Sequence, residues 1–351
     1  MKKLSGFIFL FVVLISLMSC TSTKKLSNKS IFSKIDILIQ STNPGTFSGV
    51  VFISENGKTI YQKTKGFSEE EKKVSLKIDD KFSSMSIAKQ VTSTLVMLEA
   101  EKGNISLDAP INQYLKDMPY SWASKVTVHH LLNNTSGIDS WELKENLLFE
   151  PGTQFKYSNI GYGLLGKILE NASGKKYSEL VNLLFSDLKM KDSHYPSESF
   201  PQVKSYFISK EKGKNLVIEF PLKSEYFPGS NLTVSATDLN KWNFALHNGK
   251  ILQPESYRRM INYSITNLHT LFSEKEIGYG YGLRINDKNG FVEYGHTGFM
   301  PTAGFTAVNL YYPKNKISVI VLENQATDNF DIAYYFEEQI RKIVVESDLI
   351  K

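Results

Sequence analysis

The feature that most constrains the fold is the position of the predicted β-strands, which lie at the two ends of the chain. Near the N-terminus, residues 50–54 and 59–62 are rich in β-branched side chains and flank Asn56-Gly57. That dipeptide favours the type I′ turn of a two-residue hairpin. Two strands alone would leave both edges exposed, so we expect the hairpin to pair with strands from the far end of the chain.

Four more predicted strands lie near the C-terminus, at residues 281–285, 291–294, 305–312 and 317–322. Apolar residues at helical spacing precede the first hairpin, over residues 31–39. They also follow the last strand at intervals of three and four, namely Ile332, Phe336, Ile340 and Ile343. Each of these terminal helices is therefore expected to pack its apolar face on the sheet.

Between the two strand regions the pattern is helical. Residues 92–100 and 162–171 favour helix, and Gly174 is a typical helix stop. The sequence therefore predicts an α/β (α+β) fold with a mostly antiparallel sheet flanked by N- and C-terminal helices. The sheet is expected to come from about residues 31–80 and 280–351, with an inserted all-helical subdomain over about residues 81–279. A site is expected in the cleft between these two parts.

The first 19 residues are predicted to be a signal peptide. Lys2 and Lys3 precede an apolar run over residues 7–17 that is too short to span a bilayer comfortably. The run leads through Leu17-Met18-Ser19 into Cys20, the single cysteine of the 351 residues, and it resembles the lipobox of bacterial lipoproteins. This resemblance implies lipidation of Cys20, with residues 20–30 as a polar tether. The alternatives are a plain secretory signal or an N-terminal membrane anchor.

The expected location is therefore the bacterial envelope, with the domain of residues 31–351 on the periplasmic or extracellular side. The lipid at Cys20 would attach it to the membrane. A single cysteine excludes an intramolecular disulfide. The formal net charge of +5 includes the signal-peptide lysines, and residues 69–73 show lysines mixed with acids. We therefore expect no nucleic-acid partner. The protein is also expected to be a monomer.

The chemistry of the chain lies in three short motifs, Ser86-Ile87-Ala88-Lys89, Tyr157-Ser158-Asn159 and His296-Thr297-Gly298. They supply a hydroxyl nucleophile, an amine, a phenol, an amide and an imidazole, which are the groups that acyl transfer requires. The S-x-x-K pattern alone is weak, because four other serines also begin one. Acyl transfer is indicated by the presence of all three motifs in this order. Neither a cofactor motif nor a metal-ligand spacing occurs, so no cofactor or metal is expected.

Ser86 and Lys89 would share one face of a helix. Ser86 is expected at the helix start, where unpaired backbone N–H groups favour developing negative charge. A lysine acts as a base only when neutral, so burial has to lower the pKa of Lys89. Tyr157 is an alternative proton carrier, and the residues leave open which of the two is the base. Asn159 can orient substrate amides or Lys89 itself.

With these motifs the chain resembles the serine β-lactamase and penicillin-binding-protein superfamily. The branch is that of class C β-lactamases, D-alanyl-D-alanine carboxypeptidases, D-aminopeptidases and related esterases. The resemblance covers nearly the whole mature chain, through residues 82–92, 107–111, 128–137, 151–162, 232–239, 278–283 and 296–298.

The resemblance implies that Ser86 forms an acyl-enzyme while Lys89 and Tyr157 handle protons. It also implies a substrate-binding set made of Asn159, His296, Thr297, Gly298 and Phe299, the last through its backbone N–H as an oxyanion donor.

His296 departs from the better-known pattern of this superfamily, which has lysine in a Lys-Thr-Gly triad. Lysine is a permanent cation for a substrate carboxylate, whereas histidine is only partly charged near neutrality. We therefore expect a serine hydrolase of D-alanyl peptides, amides or small esters. A true β-lactamase is the alternative enzyme. The non-catalytic alternative is an envelope lipoprotein that binds peptidoglycan or β-lactams with the same fold.

Overall fold

The computed structural model describes residues 29–197, 199, 201–211, 213–217, 221–267, 272, 276–288 and 290–350. The predicted signal peptide, Cys20 and most of the predicted tether lie outside these described residues. The helices are α1 (29–40), α2 (Ala88–Glu101), α3 (Val128–Leu132), α4 (Asn159–Ser173), α5 (Tyr177–Asp187), α6 (Phe227–Ser230), α7 (Ala236–His247), α8 (Pro254–Met260) and α9 (Tyr335–Val345). Within the described part of the chain, every helix is too short or too polar to span a bilayer.

The strands are β1 (Gly49–Glu55), β2 (Lys58–Lys65), β3 (Phe67–Glu69), β4 (Val74–Ser75), β5 (Phe82–Ser83), β6 (Tyr206–Ser209), β7 (Gly213–Leu216), β8 (Thr233–Val234), β9 (Thr266–Asn267), β10 (Ile277–Tyr279), β11 (Arg284–Asn286), β12 (Glu293–Met300), β13 (Phe305–Tyr312), β14 (Ile317–Glu323) and β15 (Gln325–Thr327). Eight of them form one antiparallel sheet in the order β2-β1-β14-β13-β12-β11-β10-β9.

The predicted pairing of the two chain ends is confirmed. Strand β1 lies between its hairpin partner β2 and the late strand β14, in a register that sets Val51 opposite Val321. The hairpin residues Asn56 and Gly57 have φ angles of 52° and 77°, as a type I′ turn requires. Strand β14 thus covers the edge that the hairpin alone would expose.

The two faces of the sheet pack on different partners because neighbouring strand residues point in opposite directions. Val51 and Ile53 of β1 join a buried cluster with the terminal helices, which contribute Ile35 from α1 and Ile340 from α9. Val50 and Phe52 of the same strand point the other way, into a larger cluster formed with the insertion. Burial of each such side chain stabilises the fold by about 1.5–3 kcal/mol.

Three details differ from the sequence prediction. The predicted strand 281–285 is interrupted, because Gly282 has a φ of 66° and forms a turn between β10 and β11. His296, predicted to lie at the end of a strand, instead lies within β12 (Glu293–Met300), which pairs with β13 from Tyr294 to Met300. The insertion is mainly helical, yet it contains short strands, and one of them, β6, pairs in parallel with β15.

Candidate active site

Ser86 lies in a 3-10 turn, Met85–Ile87, that leads into α2. Met85 has a φ of 46°, a conformation that costs a non-glycine residue about 1–3 kcal/mol. Contacts with Leu232, the residue before β8, hold the turn in place. Ser84 N donates to Leu232 O at 2.7 Å, and Leu232 N donates to Ser84 Oγ at 3.0 Å. The turn presents a half-buried Ser86 at the start of a helix, as predicted.

Lys89 is fully buried at the centre of the site. Its Nζ lies 3.4 Å from Ser86 Oγ, 2.7 Å from Asn159 Oδ1 and 2.5 Å from Gly229 O. Burial holds the pKa of Lys89 well below its usual range, and the positive charge of Arg284 lowers it further. The side chain is therefore tuned towards the neutral amine, which is the form that a base requires.

Tyr157 precedes α4 and places its ring against the lysine, with Lys89 Nζ 4.4 Å from the ring centroid. Its hydroxyl group is hydrogen-bonded to Ser86. Burial raises the pKa of Tyr157 to about 12, although the hydrogen bond to Ser86 and the charge of Arg284 act in the opposite direction. At neutral pH the phenol therefore keeps its proton.

Asn159 is the first residue of α4, whose start is capped by Ser158 through a 3.0 Å hydrogen bond from Gly161 N to Ser158 Oγ. The Asn159 amide is held at both ends. Its Nδ2 donates to Ser140 Oγ at 3.4 Å, and its Oδ1 accepts from Lys89. The cap and these two contacts fix the amide oxygen towards the lysine.

His296 is fully buried, and protein groups engage both of its ring nitrogens. Nδ1 lies 2.6 Å from Thr297 O, and Nε2 lies 3.0 Å from Tyr279 OH. Because a carbonyl oxygen only accepts, Nδ1 carries a proton. The cavity beside Ser86 is lined by Thr297 and Phe299, whereas the His296 ring is packed within the protein, 6.1 Å from the Tyr157 ring between centroids. Its predicted contact with substrate stays a prediction.

Gly298 brings β12 directly against the turn that carries Ser86. A Cβ built at position 298 would lie 2.4 Å from Met85 Cβ and 3.0 Å from Ser86 N. Only glycine fits there without moving the turn. The oxyanion role predicted for the backbone N–H of Phe299, the next residue, also stays a prediction.

Ser86 and Tyr157 open on a cavity of about 500 Å³. Aromatic side chains form part of its wall, with Phe299 centred 5.7 Å from Phe330 and 5.4 Å from Tyr334. Phe330 is 79% exposed. The cavity thus combines the predicted nucleophile Ser86, polar strand residues and an apolar wall.

Sequence reasoning missed several residues of this site. Arg284 lines the cavity and acts electrostatically on Lys89 and Tyr157, and the only available signal was an arginine within an otherwise apolar predicted strand. Gly229 contributes a backbone carbonyl, for which a sequence carries no side-chain signal. Among the described residues, no group of three or more His, Cys, Asp or Glu side chains is placed to hold a metal ion.

The antiparallel sheet, the mainly helical insertion and the Ser-Lys-Tyr cluster between them define the architecture of the β-lactamase and penicillin-binding-protein superfamily. The chain belongs to the beta-lactamase family, whose model, described as Beta-lactamase, matches residues 39–340. The predicted superfamily and fold class are thereby confirmed.

Protein flp of Staphylococcus aureus (strain NCTC 8325 / PS 47) is 25% identical in sequence to this chain over 301 residues. That match covers 78% of this chain and 59% of Protein flp, so the chain spans less than two thirds of that relative. The structure of the octameric penicillin-binding protein homologue from Pyrococcus abyssi has a TM-score of 0.78 at 25% identity, covering 92% of this chain and 78% of the homologue.

The D-amino acid amidase from Ochrobactrum anthropi SV3, complexed with L-phenylalanine amide, has a TM-score of 0.76 at 21% identity. It covers 91% of this chain and 98% of the amidase, a likeness of fold alone.

Proposed function

We propose that the protein is a serine hydrolase that works through an acyl-enzyme on Ser86. The surroundings of Lys89 carry this proposal. A neutral amine has two N–H groups and one lone pair. The two N–H groups are used by Asn159 Oδ1 at 2.7 Å and Gly229 O at 2.5 Å. The lone pair is left for the Ser86 hydroxyl, whose oxygen lies 3.4 Å away. This arrangement favours Lys89 as the base, with Tyr157 as the proton donor to the leaving group.

In the proposed acylation, Ser86 Oγ attacks the substrate carbonyl carbon as its proton passes to Lys89 Nζ. The carbonyl oxygen becomes an oxyanion that accepts hydrogen bonds from the backbone N–H groups of Ser86 and Phe299. One such donor is worth about 10²–10³ in rate. The bond to the leaving group then breaks, and Tyr157 gives that group its phenolic proton. The Lys89 ammonium returns a proton to Tyr157, which leaves an ester on Ser86.

Deacylation repeats these steps with water as the nucleophile. Water loses a proton to Lys89 as its oxygen attacks the ester carbonyl carbon. The bond between this carbon and Ser86 Oγ breaks, and the serine oxygen takes the proton back from Lys89. The acid product leaves with the site restored. A lysine of depressed pKa suits both halves of the cycle, since it can accept and release a proton near neutrality.

The proposed substrates are D-alanyl peptides, other amides or small esters. Arg284 lines the same cavity as Ser86, and its guanidinium is a permanent cation suited to a substrate carboxylate. In the better-known Lys-Thr-Gly pattern that task belongs to the lysine whose place His296 occupies here. The rings of Phe299, Phe330 and Tyr334 suit an apolar group of the substrate. A terminal carboxylate beside a small apolar side chain is what a D-alanyl peptide presents.

We also propose the envelope location and the lipid anchor at Cys20, with peptidoglycan peptides as accessible substrates and a monomer as the working form. These proposals come from the N-terminal sequence pattern and from the composition. Mass spectrometry of the mature protein tests the anchor, since diacylglycerol and an N-acyl chain on Cys20 give a defined mass increase that Cys20→Ser abolishes.

The deciding experiment compares wild type with Ser86→Ala on nitrocefin, a D-Ala-D-Ala peptide and a p-nitrophenyl ester, together with labelling by a fluorophosphonate. We expect ester hydrolysis, feeble nitrocefin turnover and loss of all activity and labelling in the variant. Absence of Ser86-dependent labelling by both the fluorophosphonate and a fluorescent penicillin would leave the non-catalytic alternative. Strong nitrocefin turnover would favour a true β-lactamase.

A further inference from the structure

Thr92 lies one turn of α2 beyond Lys89, and both side chains reach the same short segment of the insertion. Lys89 Nζ donates to Gly229 O at 2.5 Å, and Thr92 Oγ1 donates to Pro228 O at 2.5 Å. Both side chains are fully buried. Residues three apart on a helix share a face, so one face of α2 binds the carbonyl groups of two consecutive residues.

A second buried hydroxyl sets the direction of the Thr92 hydrogen bond. Tyr177 OH lies 2.7 Å from Thr92 Oγ1. The single proton of the Thr92 hydroxyl is used by Pro228 O, which can only accept. Tyr177 must therefore be the donor to Thr92. Burial raises the pKa of Tyr177, so this donor is present throughout the working pH range. The hydrogen bonds run from Tyr177 through Thr92 to Pro228.

Close packing confines the same segment from the side of α4. A Cβ built at Gly166 would lie 2.5 Å from Pro228 Cγ, and one built at Gly229 would lie 2.8 Å from Tyr162 Cβ. The Pro228-Gly229 backbone thus sits between two helices, and on the α2 side Thr92 is the donor to Pro228 O while Lys89 is the donor to Gly229 O. Without Thr92 Oγ1, Pro228 O would be a buried acceptor that has lost its partner, which is unfavourable and favours a shift of the segment.

We propose that Thr92, oriented by Tyr177, is a positioning residue for the reaction at Ser86. It holds the Pro228-Gly229 segment so that Gly229 O keeps the Lys89 amine aimed at the serine hydroxyl. This role rests on the proposed function. It assigns Thr92 no contact with substrate, because its hydroxyl is used entirely within the protein.

Displacement of Gly229 should change the pKa of Lys89 in one direction only. Gly229 O accepts more strongly from the ammonium than from the amine, so it favours the charged form. A displaced Gly229 would therefore lower the pKa of Lys89 further. The acid limb of the pH–rate profile, which follows loss of the lysine proton, would move to lower pH. The maximal rate would fall because the amine is less well aimed.

The test compares Thr92→Val, which lacks the hydroxyl, with Thr92→Ser, which keeps it. Thr94→Val is the matched control, since Thr94 is a buried threonine of the same helix whose Oγ1 donates within the helix to Gln90 O at 2.8 Å. The readouts are the rate of fluorophosphonate labelling and kcat/KM for p-nitrophenyl acetate across the pH range, with thermal unfolding to compare the folds.

We expect Thr92→Val to lose about 10-fold or more in maximal rate and to shift the acid limb to lower pH. Tyr177→Phe should cause a smaller change of the same kind. Thr92→Ser should restore the profile, and Thr94→Val should leave both quantities unchanged. A Thr92→Val profile equal to that of Thr94→Val overturns the proposal. A lower rate with an unmoved acid limb also overturns it, because that result shows a merely structural role.

A direct measurement separates this inference from the proposed function. The lysine side chains can be labelled with ¹³C and the Lys89 resonance followed by NMR as the pH changes, in wild type and in Thr92→Val. If wild type neither hydrolyses nor labels, the proposed hydrolase function has failed, and this titration alone then decides the role of Thr92. A lower Lys89 pKa in the variant supports it, and an unchanged pKa overturns it.

Discussion

Gly298 of β12 and Met85 of the 3-10 turn that carries Ser86 lie so close that no side chain fits between them. A Cβ at position 298 would stand 2.4 Å from Met85 Cβ. Sheet and helical insertion therefore meet backbone to backbone beside Ser86, and the position of Ser86 depends on that contact.

Gly298→Ala should therefore reduce catalysis far more than stability. The added methyl group has to push the turn that carries Ser86, and a displacement near 1 Å costs about 10²-fold in rate. Ester hydrolysis and thermal unfolding measure the two effects. Gly45→Ala is the matched control, because a Cβ at Gly45 meets nothing within 4 Å. Equal rates for the two variants would contradict the proposed contact.

Arg284→Gln should move the acid limb of the pH–rate profile to higher pH. The positive charge of Arg284 lowers the pKa of Lys89, so removal of that charge should raise this pKa. Lys89 then loses its proton only at a higher pH. The measurement is kcat/KM for p-nitrophenyl acetate, which has no carboxylate for the arginine to bind. The Arg258 side chain is 68% exposed on α8, and Arg258→Gln serves as the control. A limb that stays in place, or moves to lower pH, would refute this electrostatic link.

Glu337→Gln should make stability less dependent on pH. Glu337 is buried on α9 near Glu323, and burial raises its pKa to about 7 from an ordinary value of 4.5. The folded state thus holds a proton that the unfolded state has lost. The stabilising contribution of this bound proton is complete below about pH 4.5 and is lost as the pH rises through about 7. Thermal unfolding followed over this range should show a decline in wild type that the variant lacks.

The control for this stability prediction is Glu346→Gln, at the exposed end of the same helix. It should leave the decline of wild type intact. The buried Glu323 also has a raised pKa, chiefly through burial and then through Glu337, so Glu323→Gln should act in the same direction as Glu337→Gln. A wild-type unfolding temperature that rises across this interval would show that the carboxyl pair is not the controlling group.

Phe330→Ala should change substrate selectivity while leaving the fold intact. The ring is 79% exposed and contacts Phe299 in the cavity wall, so its loss removes apolar contact from the substrate rather than from the core. The ratio of kcat/KM for p-nitrophenyl phenylacetate over p-nitrophenyl acetate should fall about 2–10-fold, the equivalent of ~0.5–1.5 kcal/mol. Leu183→Ala, on an exposed part of α5, is the control. An unchanged ratio would remove Phe330 from the specificity site.

The parts of this molecule that could be predicted are those with a local chemical signal. Asn56-Gly57 predicts the turn between β1 and β2, and the apolar pattern predicts β1 and β14. The S-x-x-K spacing places Ser86 and Lys89 on one helix face. The parts that failed depend on partners elsewhere in the chain. Strand β12 continues through Gly295 and Gly298 because β13 pairs with it, although glycine disfavours strands.

The contacts that tune the lysine were also beyond sequence reasoning. Gly229 takes part through a carbonyl oxygen, which every residue has. The hydrogen bond between Thr92 and Pro228 spans 136 positions, so nothing near either residue indicates it. The buried position of His296 is another such case, since its partner Tyr279 lies on a separate strand. The motifs and the family resemblance identified which groups meet, whereas the packing around them determines the protonation state and orientation of each group.

The pairing of β1 with β14 has a consequence for how the molecule is made. Ser48 N donates to a Glu323 carboxylate oxygen across 275 positions of sequence. At a synthesis rate of about 5–20 residues per second, the N-terminal hairpin waits roughly 14–55 seconds for its partner to leave the ribosome. The strand that carries Gly298 arrives in the same late interval. A chain released before β12 has emerged therefore holds Ser86 without the strand beside it, so the proposed hydrolysis requires synthesis to have passed Gly298.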